Sequence, residues 1–286
     1  YMTHMSIRTW GIVLLIVLSM LSGAFLLVTA RTFSPLRVVF LDVGQGDAIL
    51  VSQGKTQILI DGGRDGKILL GKLGKHLPFW DRRIESVIAT HPDADHVGGL
   101  ASAVRRYHVA TYLSNGVEGD SDVFRDLKQT LDLSHVTKQS VVGTGSRILF
   151  PGGTELRVLF PQSGTAKTMS ETNEGSIVVR LVFGDASFLL TGDLPHEEMV
   201  LPDIPSTKVL KVAHHGSKYS TSESWLARVH PEIALVSVGK NRYGHPSEEV
   251  LVRLQERGIR ILRTDQQGDV VYVCQEATCH LKESKR

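Results

Sequence analysis

The chain opens on an uninterrupted apolar run and then changes rhythm. Thr9–Ala30 carries no charged side chain over 22 residues, and as a helix it would rise roughly 33 Å, enough to cross a hydrocarbon core. A secretory apolar region is usually about 7–15 residues, so the pattern favours an uncleaved anchor over residues 1–31. Val28-Thr29-Ala30 has the small-residue character of a cleavage site, which leaves a cleaved signal and a secreted product as the alternative, with a buried core helix third. Arg8 faces Arg31 and Arg37 across the run, so basic residues do not fix its orientation, and either signal-derived reading puts the remainder outside the cytoplasm. Tyr1 ahead of Met2 suggests that the true start is missing or altered.

From residue 32 onward, short β-branched runs alternate with helical periodicity. Strands are expected at Arg37–Leu41, Ala48–Ser52, Gln57–Ile60, Ser86–Thr90, Glu155–Phe160, Ser176–Phe183, Ser187–Thr191, Val209–Ala213, Ile233–Val238, Ile261–Arg263 and Val270–Val273. Helices are expected at Gly66–His76, Gly98–Tyr107, Asp122–Asp132, Thr221–Val229 and Ser247–Glu256. Two groups of strands with helices between them, and paired hairpins at the start, favour an α/β sandwich over a doubly wound sheet. No linker or repeat divides residues 32–286, which read as one domain.

Composition narrows the function. Over 286 residues, 42% hydrophobic and 22% charged content exclude a disordered chain, and a formal net charge of +2 excludes histone-like binding by bulk charge. Arg8 and Arg31 carry that whole excess: 32 basic residues less these two leave 30, equal to the 30 acidic ones. The two cysteines, Cys274 and Cys279, allow one hairpin disulfide in an oxidising compartment, free thiols in the cytosol, or a weak zinc site with His280.

The densest chemistry is Thr90-His91-Pro92-Asp93-Ala94-Asp95-His96-Val97-Gly98-Gly99, where a strand gives way to a helix. Four metal-ligating types within six residues, on a loop that lets side chains converge, point to a metal site. The plainer reading is a helix cap at Asp95 with incidental histidines. Phe188–Asp193 is an apolar strand ending in Gly-Asp, and Val209–Ser217 repeats the form with His214-His215-Gly216-Ser217. Alone, Asp193 would be an ordinary turn residue.

Together with Asp42-Val43-Gly44-Gln45-Gly46-Asp47-Ala48, Leu59-Ile60-Asp61-Gly62-Gly63 and Tyr243-Gly244-His245-Pro246-Ser247, these motifs resemble the metallo-β-lactamase superfamily. The resemblance is to the hydrolase domain of the ComEC competence family and covers about residues 36–273. It implies an αβ/βα four-layer sandwich with a one- or two-metal site at one edge. It further implies His91 and Asp93 as ligands of one ion, Asp95 and His96 as ligands of the other, Asp193 as a bridging carboxylate and His215 as the closing histidine. Asp61 resembles the buried carboxylate that braces the His91 loop, and His214 stands beside the ligands. Asp93 occupies a position that is commonly His, and Asn173-Glu174-Gly175-Ser176 stands where a further histidine is usual. More carboxylates and fewer nitrogens shift the preference from Zn²⁺ toward Mn²⁺.

Two divalent ions, Mn²⁺ or Zn²⁺, imply an acidified bridging water attacking phosphorus in line, with Asp95 able to orient it. His245 is a candidate ligand, phosphate contact or proton donor to the leaving oxygen, against a structural turn histidine. Lys211, Lys218, Lys240 and Arg242 could hold adjoining phosphates, although each taken singly reads first as a solvated surface charge, and Ser217 and Ser247 are candidates for phosphate or cap contacts. The resulting expectation is a membrane-anchored phosphodiesterase, most simply a DNA nuclease in DNA uptake, with DNA as substrate and a separate channel protein as a candidate partner. The channel and oligonucleotide-binding domains of a full ComEC protein are not in this sequence, and one apolar segment cannot form a pore. The alternatives are hydrolysis of a carbonyl ester or lactam, and a non-catalytic module that binds DNA or a partner.

Overall fold

The computed structural model describes residues 7–32, 34–150, 153–201 and 204–282. Helix α1 (Ile7–Thr32) takes up the charge-free run and is long and apolar enough to cross a membrane. Strands β1 (Leu36–Phe40), β2 (Ile49–Gln53), β3 (Thr56–Ile60), β4 (Arg83–Ala89), β5 (His108–Ser114) and β6 (Lys138–Val141) build a first sheet in sequence order. A second sheet holds β7 (Arg147–Leu149), β8 (Glu155–Phe160), β9 (Val178–Phe183), β10 (Ala186–Leu190), β11 (Val209–Lys211), β12 (Ile233–Val236) and β13 (Arg260–Arg263). The chain then returns to the first sheet, where β14 (Val270–Gln275) pairs with β1 and β15 (Thr278–Lys282) forms its edge.

Alternation along the strands sets the layers. Val38 pairs with Val51, which pairs with Ile58, and this face joins Leu181, Phe188 and Leu235 of the second sheet in a core between the sheets. The opposite face of the first sheet, with Val39, Leu50 and Leu59, is covered by α2 (Gly66–His76), the short α3 (Ala94–Val97), α4 (Leu100–Arg106) and α5 (Asp122–Leu133). Past the brief α6 (Glu197–Val200), helices α7 (Glu223–Val229) and α8 (Glu248–Glu256) set Trp225, Leu226, Val250 and Leu254 against Leu189 and Leu210. The result is the expected αβ/βα sandwich. Helix starts follow local chemistry: Asp65 accepts from Lys67 N and Ile68 N, Ser121 from Phe124 N and Ser247 from Val250 N.

Four strands are absent from the pattern reading. β6 and β7 are short and largely exposed, and β15 alternates between exposed and half-buried positions at an edge, so none carries a strong apolar signal. β5 was masked by its polar members, although it runs beside β4 in parallel. Cys274 and Cys279 face one another across the β14–β15 hairpin and form a disulfide, which removes the free-thiol and zinc alternatives.

Candidate metal centre

The chemical residues stand where strands end. Asp61 follows β3, the His91–His96 loop follows β4, and Asp193 and His215 follow the parallel pair β10 and β11. Carboxyl ends of parallel strands leave a crevice between diverging loops, which is where ligands gather in α/β sheets. The β1–β2 loop adds Asp47, because Gly46 (φ +127°) has no side chain: a Cβ there would stand 2.1 Å from Asp95 O. Asp47 N donates to that same oxygen at 3.2 Å. His214, His215 and Gly216 all take positive φ, a turn that buries His215 and leaves His214 partly exposed.

Asp61 organises the His91 loop. Its Oδ1 accepts from Thr90 N at 2.8 Å, and its Oδ2 accepts from Thr90 Oγ1 and His96 Nδ1, each at 2.7 Å. His215 Nδ1 donates to Ser237 O at 2.8 Å. Both imidazoles therefore turn Nε2 inward: His96 Nε2 lies 3.2 Å from Asp193 Oδ1, and His215 Nε2 lies 3.3 Å from Asp193 Oδ2 and from Asp95 Oδ2. Lys211 Nζ, fully buried, pairs with Asp47, stands 3.6 Å from Asp193 Oδ1 and donates to Gly192 O at 2.9 Å.

This arrangement fits a metal ion. Nε2 of His91, His96 and His215, with Asp47 Oδ1 and Asp193 Oδ1, are buried without a hydrogen-bond partner. Unsatisfied buried polar atoms are costly, and these five gather at one place. His91, His96 and Asp193 bring ligand atoms within 4.8 Å of one another, as do Asp95, His96 and His215, and also Asp47, Asp193 and His215. The donor set mixes imidazole and carboxylate, as divalent transition ions and zinc require.

Electrostatics without an ion are correspondingly strained. Burial would lower His215, but Asp193, Asp95 and Asp47 hold it up to about 9. Burial would also lower His96, and Asp193 and Asp61 raise it well above the ordinary value. Asp193 and Asp95 are pulled below the carboxylate range against burial by these two histidines. His91, shut away from water and beside His96, falls to about 4.

The other sequence candidates lie at the rim or outside it. Asp93 Oδ2 stands 3.9 Å from His91 Nε2, while its Oδ1 accepts from Thr172 Oγ1 at 2.6 Å. His214 Nε2 is 3.9 Å from Asp193 Oδ2. The His245 ring lies 5.3 Å from that of His214, and burial together with His214 and His215 lowers it to about 4. Lys218, Lys240 and Arg242 are exposed, and Lys218 lies over the Tyr219 ring. Ser217 is buried with Oγ accepting from Tyr219 N at 3.4 Å, and Ser247 caps α8. Lys211 is no free phosphate contact, because Asp47 and Asp193 occupy it.

Sequence reasoning gave Asp47 no role, and it missed the bracing by Thr90 and Ser176, whose Oγ accepts from Asp193 N at 3.2 Å. For Asp47 a signal existed, since Gly46-Asp47 at a strand boundary has the same form as Gly192-Asp193.

The sequence pattern of the metallo-beta-lactamase superfamily matches residues 41–240, a span that contains every clustered ligand type described above. The chain belongs to that superfamily. As a metallo-beta-lactamase superfamily member it has a metal-dependent hydrolase fold, and divalent metal binding follows from that fold. It is 31% identical over 259 residues to ComE operon protein 3 of Bacillus subtilis, covering 82% of this chain and 32% of that protein. It is 30% identical over 237 residues to competence protein ComA of Neisseria gonorrhoeae, covering 81% of this chain and 31% of that protein. The chain thus spans about a third of the length of these ComEC-family relatives. Among solved structures, the metallo-beta-lactamase fold protein YhfI of Bacillus subtilis superposes with a TM-score of 0.56 at 14% identity, covering 84% of this chain and 99% of YhfI.

Proposed function

We propose that this superfamily member is an extracytoplasmic, metal-dependent phosphodiesterase that cuts DNA during uptake, tethered by α1. The observation that carries the reading is the set of buried, partnerless nitrogen and carboxylate atoms beside Asp95, with exposed Lys218, Lys240 and Arg242 on neighbouring loops. Similarity to competence proteins supports DNA as the substrate. The Cys274–Cys279 disulfide supports an oxidising compartment for residues 32–286.

The residues that would hold the ions are His91, Asp95, His96, Asp193 and His215, with Asp47 in reach of Asp193 and His215 and Asp93 at the rim, 3.9 Å from His91 Nε2. Bound there, Mn²⁺ or Zn²⁺ supplies Lewis-acid charge and lowers the pKa of a coordinated water. Asp95, with 23% of its side chain exposed against 2% for Asp47 and 4% for Asp193, is the carboxylate positioned to orient a solvent nucleophile. His245 is held neutral at physiological pH, so it offers an N–H to a phosphate or leaving oxygen and not a mobile proton. Without net charge in residues 32–286, the grip on phosphate is local, made by the site and the three rim cations.

The test is cleavage of plasmid and single-stranded DNA by the full chain in Mn²⁺, Zn²⁺, Mg²⁺ and EDTA, beside a lactam reporter. Metal-dependent DNA cleavage that disappears in Asp95→Ala and Asp193→Ala is the expected result. Lactam turnover without DNA cleavage, or cleavage unchanged in both variants, overturns the reading.

A further inference from the structure

The end of the sandwich opposite the metal centre has its own character. Leaving α1 at Thr32, the chain enters β1 at Leu36, and four residues span at most about 14 Å. The plane that α1 meets at that end therefore lies close to the start of β1. Gln53 Nε2 donates to Ser34 O at 3.2 Å, and a Cβ on Gly54 would stand 3.4 Å from Ser34 Oγ, so the β2–β3 turn abuts the chain that follows the helix. Gln57 Nε2, at the start of β3, donates to Asp81 Oδ2 at 2.6 Å, and Arg37 donates to His76 O at 3.1 Å. These contacts bring the α2–β4 loop to the same edge.

That loop carries Phe79 and Trp80, 81% and 72% exposed, with ring centroids 4.7 Å apart in an edge-to-face pair. Two adjacent large aromatics in water are an unfavourable surface unless something covers them. Exposed Arg82, two residues past Trp80, and exposed Lys55, in the β2–β3 turn, make no ion pair among the described residues, while half-buried Asp81 between Trp80 and Arg82 accepts from Gln57 Nε2 and Arg83 N. Aromatic side chains beside unneutralised cations suit the headgroup layer of a bilayer, where rings settle at the interface and cations meet anionic lipid.

We propose that Phe79 and Trp80, with Lys55 and Arg82, rest in the interface of a membrane containing anionic lipid and seat the hydrolase on the bilayer that α1 crosses. The inference rests on reading α1 as a membrane-spanning helix. β4 joins the two ends of the sandwich, and its seven residues rise about 23 Å, so a seat at this end would hold the metal edge clear of the membrane.

Tryptophan quenching separates the inference from the reading beneath it. The chain contains three tryptophans, of which Trp10 lies in α1 and Trp225 is fully buried in the core. The full chain is reconstituted in phosphatidylcholine/phosphatidylglycerol vesicles with lipids brominated near the headgroup end of the acyl chain, as Trp10→Phe, Trp80→Phe and the double variant. Quenching in Trp80→Phe reports Trp10 and tests the anchor. The expected result for Trp10→Phe is a blue-shifted Trp80 emission that the brominated lipid removes, while the double variant, left with Trp225, keeps its signal. Lys55→Glu with Arg82→Glu should weaken the Trp80 quenching in anionic vesicles. If Trp80→Phe is quenched and Trp10→Phe is not, the anchor stands and the aromatic seat is overturned, as it would be if a protein partner covered this loop. If neither is quenched, both fall.

Discussion

Asp61 Oδ2 accepts a 2.7 Å hydrogen bond from His96 Nδ1, and His96 Nε2 on the far side of the ring lies 3.2 Å from Asp193 Oδ1. The contact holds the Nδ1–H against Asp61 and aims Nε2 into the site, where an ion would take the place of its proton. Asp61 also spends its oxygens on Thr90 N and Oγ1, so one carboxylate sets both ring orientation and loop path. Asp61→Asn is expected to lower metal affinity about 10–100-fold, because an amide cannot accept all three hydrogen bonds and its NH₂ opposes the Nδ1–H. Isothermal titration with Mn²⁺ and Zn²⁺ checks this, with circular dichroism confirming the fold. Unchanged affinity in a folded variant removes the positioning role.

The metal-free protein carries a proton on His215 that an ion must displace. Its folded pKa, about 9, lies above the ordinary value of 6.5, so the native state binds the extra proton between those two values. This contribution to stability is complete below pH 6.5 and is lost as pH rises through about 9. Metal affinity should move the other way, rising with pH across the same window as the competing proton leaves. Calorimetry at pH 7 in two buffers of different ionisation enthalpy should detect proton release on metal binding. Release of no proton would contradict the placement of His215 among the ligands.

Lys211 holds together two carboxylates that would otherwise repel. Its ammonium pairs with Asp47 and stands 3.6 Å from Asp193 Oδ1, with no exposed surface. Lys211→Met should destabilise the metal-free protein by about 3–5 kcal/mol, since one member of a buried ionic group is removed and its partners stay. Added metal supplies the missing positive charge, so the metal-induced rise in melting temperature should be larger in the variant than in the wild type. Equal increments in a thermal-shift titration would show that Lys211 does not compensate the ligand charge.

What the sequence made legible depended on how local each signal was. The His91–His96 loop, the strand ending in Asp193 and the His214-His215 turn each carry their chemistry within a few residues, and the structure brings them to one edge. Asp65, Ser121 and Ser247 likewise announce helix starts by contacts two or three residues away. Lys211 was misread because a lone lysine after two apolar residues is ordinarily solvated, and its burial depends on Asp47 from a distant hairpin. Strands β6 and β15 were missed for a related reason: their existence follows from the partner strand and not from their own pattern. The cysteine pair left three outcomes open until the hairpin register set Cys274 opposite Cys279.

Glu197 links the two ligand loops of the second sheet and should mark the protein's pH response. It follows Asp193 by one turn of chain, is fully buried, and accepts from Thr221 N at 2.8 and 3.1 Å, while Arg253 donates to Thr221 O at 2.7 Å. Thr221 in turn closes the loop that begins at His215. Burial raises Glu197 from 4.5 to about 7 despite the hydrogen bonds from Thr221, so the native state binds one more proton than the unfolded chain between those values. Stability from this group is therefore lost as pH climbs from 4.5 to 7, on the order of 3 kcal/mol, and changes little beyond. Glu197→Gln keeps an acceptor for Thr221 N without the titration, and it should gain on the wild type between pH 5 and pH 8. Glu197→Ala leaves Thr221 N unsatisfied and should cost about 1–3 kcal/mol at pH 5, a deficit that shrinks toward pH 8 as the wild type alone loses its Glu197 proton, with weaker metal binding as the 3.3 Å approach of His215 to Asp193 loosens. Melting curves of the three proteins with and without metal read both effects, and a Gln variant that tracks the wild type at every pH would remove Glu197 as the source.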